Sequence, residues 1–285
     1  MTLKTCAIAP FGVEVMLDVA AGKSLGEAVR GELQALFLQH HLLVFRGLHL
    51  TMDEQIDLCR SFGPVPASAY ENFYVSNTRE DGFLGTRELQ WHNDVPYLPS
   101  PYLVAALHAV EVDPDTTSTK FVDAAAAYAR LPAALKARVQ GLKALQVRQR
   151  LHDRANRLED LEAGDLCTVH PVVRTQPETG QPYLFVNENM TAEIIGLSRD
   201  ESDALLGEIY AGLYAESGVY DHAWQPGDMV IWDNLVVQHA RGQVGSGART
   251  LQRVTCTRHT YTEQYPADSV GEDLLNTTLL VGADS

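Results

Sequence analysis

The chain has 285 residues, of which 45% are hydrophobic and 21% charged. These are ordinary globular values, and a chain of this length buries roughly three quarters of its unfolded surface, so it needs no disulfide or metal staple to fold. Acidic residues outnumber basic ones by 37 to 22, a formal charge of -15. That balance repels nucleic-acid phosphates and anionic lipids and excludes both as expected partners.

Cys6, Cys59, Cys167 and Cys256 form no CxxC pair and read as small buried apolar residues. No signal-peptide pattern opens the chain and no membrane-length apolar run occurs, so a cytoplasmic protein is expected. Residues 1–285 read as one domain without an internal repeat.

The first predicted element is a short strand from Cys6 to Pro10. Ser24 then suits the N-cap of a helix with Val29, Leu33, Leu36 and Phe37 at helical spacing. Leu42 to Phe45 is a short apolar run ended by Gly47, the pattern of a buried strand. Thr51 and Glu54 form a capping box that opens a helix from Met52 to Phe62, stopped at Gly63-Pro64. From Pro64 to Leu89 the chain is aromatic and polar with little periodicity, which suggests irregular strands or a loop near a site.

A strand follows from Tyr102 to Val112, then an Ala-rich helical insert from Asp123 to Leu145, broken at Pro132. The charged stretch Arg148 to Asp165 has no apolar stripe and reads as a surface segment, either a lid or a solvated loop, so the insert spans about 123–166. HPVVRTQPETGQPYLFV is a hairpin around Pro177-Glu178-Thr179-Gly180, and Ser198 with Glu201 caps a helix reaching Tyr214. DHAWQPGDMVIWDN, LVVQHARG and RTLQRVTCTRHT are short strands between glycine-rich turns. Many short strands with such turns predict a β-sandwich or barrel, here flanked by helices.

In LQWHNDVPY, His92 and Asp94 lie two residues apart, and on extended chain such residues point the same way. His239 stands at the end of an apolar strand, where a core would favour another hydrophobe. Two imidazoles and one carboxylate make the facial triad suited to iron(II), with positions left for a bidentate co-substrate and oxygen. Downstream, RTLQRVT puts Arg249, Leu251 and Arg253 on one strand face. An inward guanidinium calls for a carboxylate to grip, so the pair predicts two anionic partners or one dianion. Thr119 is placed to add a hydroxyl to the same carboxylate.

These segments together resemble the TauD/TfdA family of 2-oxoglutarate-dependent dioxygenases over essentially the full chain. The similar stretches are LLVFRG, the FGP turn, WHNDVPY, HPVVRTQPETGQPYLFVN, IIGLSRDESDALL, WQPGDMVIWDN, the His239 strand and RTLQRVT. The resemblance implies a mainly β, α+β fold: a double-stranded β-helix or jelly roll of the clavaminate synthase type, with flanking helices. It implies Fe(II), 2-oxoglutarate and O2, with His92, Asp94 and His239 as metal ligands. Arg249 and Thr119 would hold the distal carboxylate of 2-oxoglutarate, and Arg253 would lie near the co-substrate or an anionic substrate group. A short turn after His239 leaves open an exchange of roles between Arg249 and Arg253. The family commonly reads Gly-Gly-Asp-Thr where this chain has Thr116-Thr117-Ser118-Thr119.

The implied reaction oxidises an unactivated C–H bond of a small carboxylate- or amino-acid-derived molecule, releasing succinate and CO2. Hydroxylation is expected, with desaturation or oxidative decarboxylation as alternatives by the same chemistry. Expected substrate contacts are Tyr70, Tyr74, Val95, Tyr97, Met190 and Arg253, which flank the triad or match substrate-facing positions. Ser68 and Met190 depart from the taurine-oxidising pattern, and the presence of Asp94 argues against halogenation. The resemblance also points to a homo-oligomer. A non-catalytic metal-binding jelly roll is the rival from another class, and it gives no reason for Arg249 and Arg253. A zinc hydrolase lacks a poised glutamate base. Asn93 is expected to point away from the metal, and Asp233 and Asn234 to hydrogen-bond neighbouring backbone.

Overall fold

In chain order the elements are β1 (Lys4–Ala7), β2 (Val13–Met16), α1 (Glu27–His40), β3 (Leu42–Phe45), α2 (Met52–Cys59), β4 (Tyr74–Ser76), β5 (Gly82–Leu84), β6 (Leu89–His92), β7 (Val104–Val112) and β8 (Thr119–Asp123). They continue with α3 (Ala124–Arg130), α4 (Ala133–Val139), β9 (Lys143–Val147), β10 (Cys167–Pro171), β11 (Val173–Thr175), β12 (Pro182–Leu184), β13 (Thr191–Ile194) and α5 (Arg199–Leu213). The last are β14 (Val219–His222), β15 (Met229–Asp233), β16 (Val237–Arg241), β17 (Arg249–Cys256) and α6 (Tyr261–Gln264). The structure, a computed structural model, describes residues 3–17, 24–66, 74–114, 116–148, 157–161, 165–242 and 245–264.

An eight-stranded sheet runs β1-β2-β3-β15-β7-β17-β4-β5, and a four-stranded sheet runs β14-β8-β16-β6. Side chains alternate faces along a strand, and β3 uses both faces. Leu42 and Val44 enter the core with Phe121, Trp232, Val237 and Leu251. Leu43 and Phe45 pack outward with Leu33 and Phe37 of α1 and Ile56 of α2. That two-sided burial explains the uninterrupted apolar run. A third core joins α3, α4 and α5 through Ala127, Leu135, Leu205 and Ile209. The fold is a mainly β, α+β jelly roll, and residues of both sheets line the site.

Several local expectations change. The first strand ends at Ala7 and pairs with β2 rather than running to Pro10. The N-cap of α1 is Gly26, without a side-chain cap. Ser24 instead donates to the Asp57 carboxylate at 3.0 Å, where Arg30 also binds at 2.7 Å. The capping box of Thr51 and Glu54 forms, but α2 stops at Cys59, because Ser61 and Phe62 donate to Leu58 and Cys59 in a tighter turn. Leu145 belongs to β9, so the helical stretch ends at Val139. Residues 149–156 and 162–164 of the charged segment lie outside the described residues. Among the described residues no helix is long and apolar enough to cross a membrane.

Candidate active site

β6 and β16 pair antiparallel with His92 opposite His239, so two residues far apart in sequence face each other across one sheet. Their ring centroids are 4.1 Å apart. Asp94 follows the end of β6, with Oδ1 3.8 Å from His92 Nε2 and 3.9 Å from His239 Nε2. Both separations are below twice a ligand–metal bond of about 2.1 Å, so one ion can reach the carboxylate and either imidazole. Among the described residues this is the one cluster of three His, Cys, Asp or Glu side chains placed to hold a metal.

The donors are held from behind. His92 Nδ1 donates to the Gln90 carbonyl at 2.7 Å, which fixes the tautomer that leaves the Nε2 lone pair for a metal. Asn234 accepts from the Asp94 amide at 2.8 Å and donates to the Asp94 carbonyl at 3.0 Å, clamping that backbone from both sides. Asn93 turns the other way, is fully buried, and donates to the Asn234 carbonyl at 2.7 Å. Asp233 accepts from the amides of Leu235 and Val236, so the Trp232-Asp233-Asn234 turn is tied to backbone as the sequence suggests. Val95 adopts φ 50, a left-handed conformation unusual for a β-branched residue. It sits beside Asp94 and faces the cavity; residues held this way persist where surrounding contacts over-determine them.

Burial alone would raise the Asp94 carboxyl, but Arg253, His239 and His92 outweigh it and hold the group well below the usual carboxylate range. Arg253 donates to Asp94 Oδ2 at 2.6 Å, which leaves Oδ1 toward the imidazoles. Burial lowers both imidazoles, His239 strongly, and keeps them in the neutral, metal-binding form.

The triad opens into a cavity of about 510 Å³. Among the described residues, five arginines line it (Arg87, Arg148, Arg241, Arg249 and Arg253) against a single carboxylate, Asp94. In a chain carrying a charge of -15, this concentrates positive charge where a ligand would enter. Arg249 is 2% exposed and donates to the Thr117 carbonyl at 3.1 Å and Thr119 Oγ1 at 3.0 Å. Its Nη1 has no partner among the described residues. Burial, with Arg241 close by, drives Arg249 down to about 9. Thr119 Oγ1 also accepts from Trp224 Nε1 at 2.9 Å. With two N–H groups directed at its oxygen, the hydroxyl has its own proton to give to an acceptor.

Of the expected substrate contacts, Val95, Tyr97, Met190 and Arg253 line the cavity. Tyr74 does not: it stands on β4 with the Arg79 guanidinium 3.9 Å over its ring. Tyr70 lies outside the described residues. Sequence reasoning missed Arg241, although it follows His239 by two residues on β16 and shares its face by the same arithmetic that links His92 to Asp94. Trp224, Arg87 and Arg148 were missed too, and no local pattern marks them.

A jelly roll that brings two imidazoles and a carboxylate together defines a class, the facial-triad oxygenases that bind a non-haem metal. The chain belongs to the taurine catabolism dioxygenase TauD, TfdA family, whose profile matches residues 4–255. It is thus an Fe(II)/2-oxoglutarate-dependent dioxygenase by membership. An (S)-phenoxypropionate/alpha-ketoglutarate-dioxygenase of Sphingobium herbicidovorans is 34% identical over 232 residues, 73% of this chain and 78% of that protein. An alpha-ketoglutarate-dependent 2,4-dichlorophenoxyacetate dioxygenase of Cupriavidus pinatubonensis is 30% identical over 272 residues, 86% of this chain and 93% of its own. The crystal structure of AAD-2 in complex with Mn(II) and N-oxalylglycine shares the fold, with a TM-score of 0.77 at 24% identity, covering 91% of this chain and 99% of that one.

Proposed function

We propose that the protein hydroxylates an unactivated C–H bond of a small carboxylate with an apolar body. 2-Oxoglutarate and O2 are consumed, one oxygen atom enters the substrate, and the other enters succinate as CO2 is lost. The observation that carries this reading is a single cavity with a three-donor metal cluster beside a buried, under-partnered arginine.

The donors fit iron(II): two neutral imidazoles and one ionised carboxylate, with His92 held in the metal-binding tautomer. His92, Asp94 and His239 would hold the ion, and bound iron supplies the oxygen activation and C–H oxidation. The other work falls to the chain. Arg249 Nη1 and the Thr119 hydroxyl supply donors for the distal carboxylate of 2-oxoglutarate, which favours Arg249 over Arg253 in that role. Arg253 acts on Asp94, holding the carboxylate in place.

Tyr97, Met190 and Val95 give the substrate an apolar wall, while the exposed Arg87 and Arg148 attract its carboxylate at the mouth. The relatives named for phenoxypropionate and 2,4-dichlorophenoxyacetate support an aryloxy or similar acid. The test is anaerobic addition of iron(II) and 2-oxoglutarate to metal-free protein. A visible charge-transfer band should appear in the wild type and be absent from His92→Ala. Succinate release stimulated by a carboxylate substrate would then complete the case. No band from iron-loaded wild type would overturn it.

A further inference from the structure

We propose that Arg241 is a second cation for the distal carboxylate of 2-oxoglutarate, a positioning and selectivity residue beside Arg249. The proposal rests on the reading that Arg249 and Thr119 receive that carboxylate. β16 and β8 pair with Val237 opposite Asp123 and Ala240 opposite Lys120. Arg241 and Thr119 are the next residues beyond that last pair on their two strands, and both line the cavity. Phe121, the partner of His239 in the same ladder, indeed stacks on that ring with centroids 6.2 Å apart, so this face is the cavity face.

Arg249 donates to the Thr119 hydroxyl, and Arg241 lines the same cavity from the end of β16. Arg241 is 5% exposed and lines the cavity. One of its nitrogens, Nη2, donates to the Arg87 carbonyl, which anchors the guanidinium. Its Nε has no partner among the described residues, and neither has Nη1 of Arg249. Two buried guanidiniums in one cavity, where Asp94 is the single carboxylate among the described lining residues and is engaged by Arg253, are balanced by an anion arriving between them. Because both cations stand at the Thr119 end, that anion is the far end of a dicarboxylate rather than its metal-chelating end.

The probes are 2-oxoglutarate and 2-oxopentanoate, which has a methyl group where the distal carboxylate would be. Their affinities are measured by anaerobic calorimetry on iron-loaded wild type, Arg241→Met and Arg241→Lys, with thermal unfolding of the metal-free proteins alongside. In Arg241→Met, 2-oxoglutarate should weaken by about tenfold or more, the order of one charge-assisted hydrogen bond. Binding of 2-oxopentanoate should stay as in the wild type, Arg241→Lys should recover part of the loss, and the metal-free Met variant should unfold no earlier than the wild type. An unchanged affinity for 2-oxoglutarate, or an equal loss for both acids, would overturn the role of Arg241 alone. A wild type that binds neither acid would overturn the co-substrate reading as well.

Discussion

Replacing Arg249 with methionine keeps most of the side chain's length and removes its charge. In the ligand-free protein the guanidinium makes two hydrogen bonds, to the Thr117 carbonyl and Thr119 Oγ1. Losing them costs about 1 kcal/mol each. Against that stands the burial that, with Arg241, drives Arg249 down to about 9, a penalty of several kcal/mol at about 1.4 kcal/mol per pKa unit. The metal-free variant is therefore expected to be as stable as the wild type or more so.

Co-substrate binding should move the other way. One charge-assisted bond from Nη1 to a carboxylate, at about 1.5–3 kcal/mol, corresponds to a loss of roughly 10- to 100-fold in affinity. Succinate release at varied 2-oxoglutarate measures the effect as KM, with Arg253→Met run in parallel. A KM within threefold of the wild type would refute the assignment, and so would metal-free Arg249→Met protein that unfolds well below the wild type.

Asn234→Ala removes the two-sided clamp on the Asp94 backbone. Metal affinity, measured by competition with a chelator, should fall by about 10- to 100-fold, as changes to groups that orient ligands usually do; an unaltered affinity would show that the strand ends alone fix Asp94. His170 is lowered by burial, as a paired carboxylate is by its partner, so both lose stability as pH falls. The imidazole is fully buried, donates from Nε2 to the Leu98 carbonyl at 2.9 Å, and burial pushes it from 6.5 to about 3. The unfolded chain binds the proton first, so stability is lost as pH falls through that window, by up to about 1.4 kcal/mol per unit. His170→Gln keeps a donor without the titration and should flatten Tm against pH between 6.5 and about 3; a slope equal to that of the wild type would count against it.

What the sequence made legible depended on how local the cause was. The capping boxes at Thr51–Glu54 and Ser198–Glu201 are complete within four residues, and both form. His92 and Asp94 needed only the period of extended chain, and His239 stood out as a polar residue in an apolar run. Ser24 failed as a cap because Asp57, 33 residues away, took its hydroxyl. Leu145 was drawn into the helical pattern because apolar spacing continued through Leu142 into a strand. Tyr74 looked like a pocket residue for being aromatic near the site, yet it serves as a platform for Arg79. The pairing of Trp224 with Thr119 crosses 105 residues, and nothing short of the fold announces it.

The pairing of β6 has a mechanical side. Among the described residues β6 is the last strand of its sheet, attached there to β16 alone and through a register with an irregularity after His239. An ion bound by His92 and His239 would rivet this outermost strand to its neighbour at the pair where the two ligands face each other, beside the irregularity. Loading the metal would then fasten the rim of the barrel as well as arm it, and its loss would loosen the wall that carries Leu89 and His92 against the cavity.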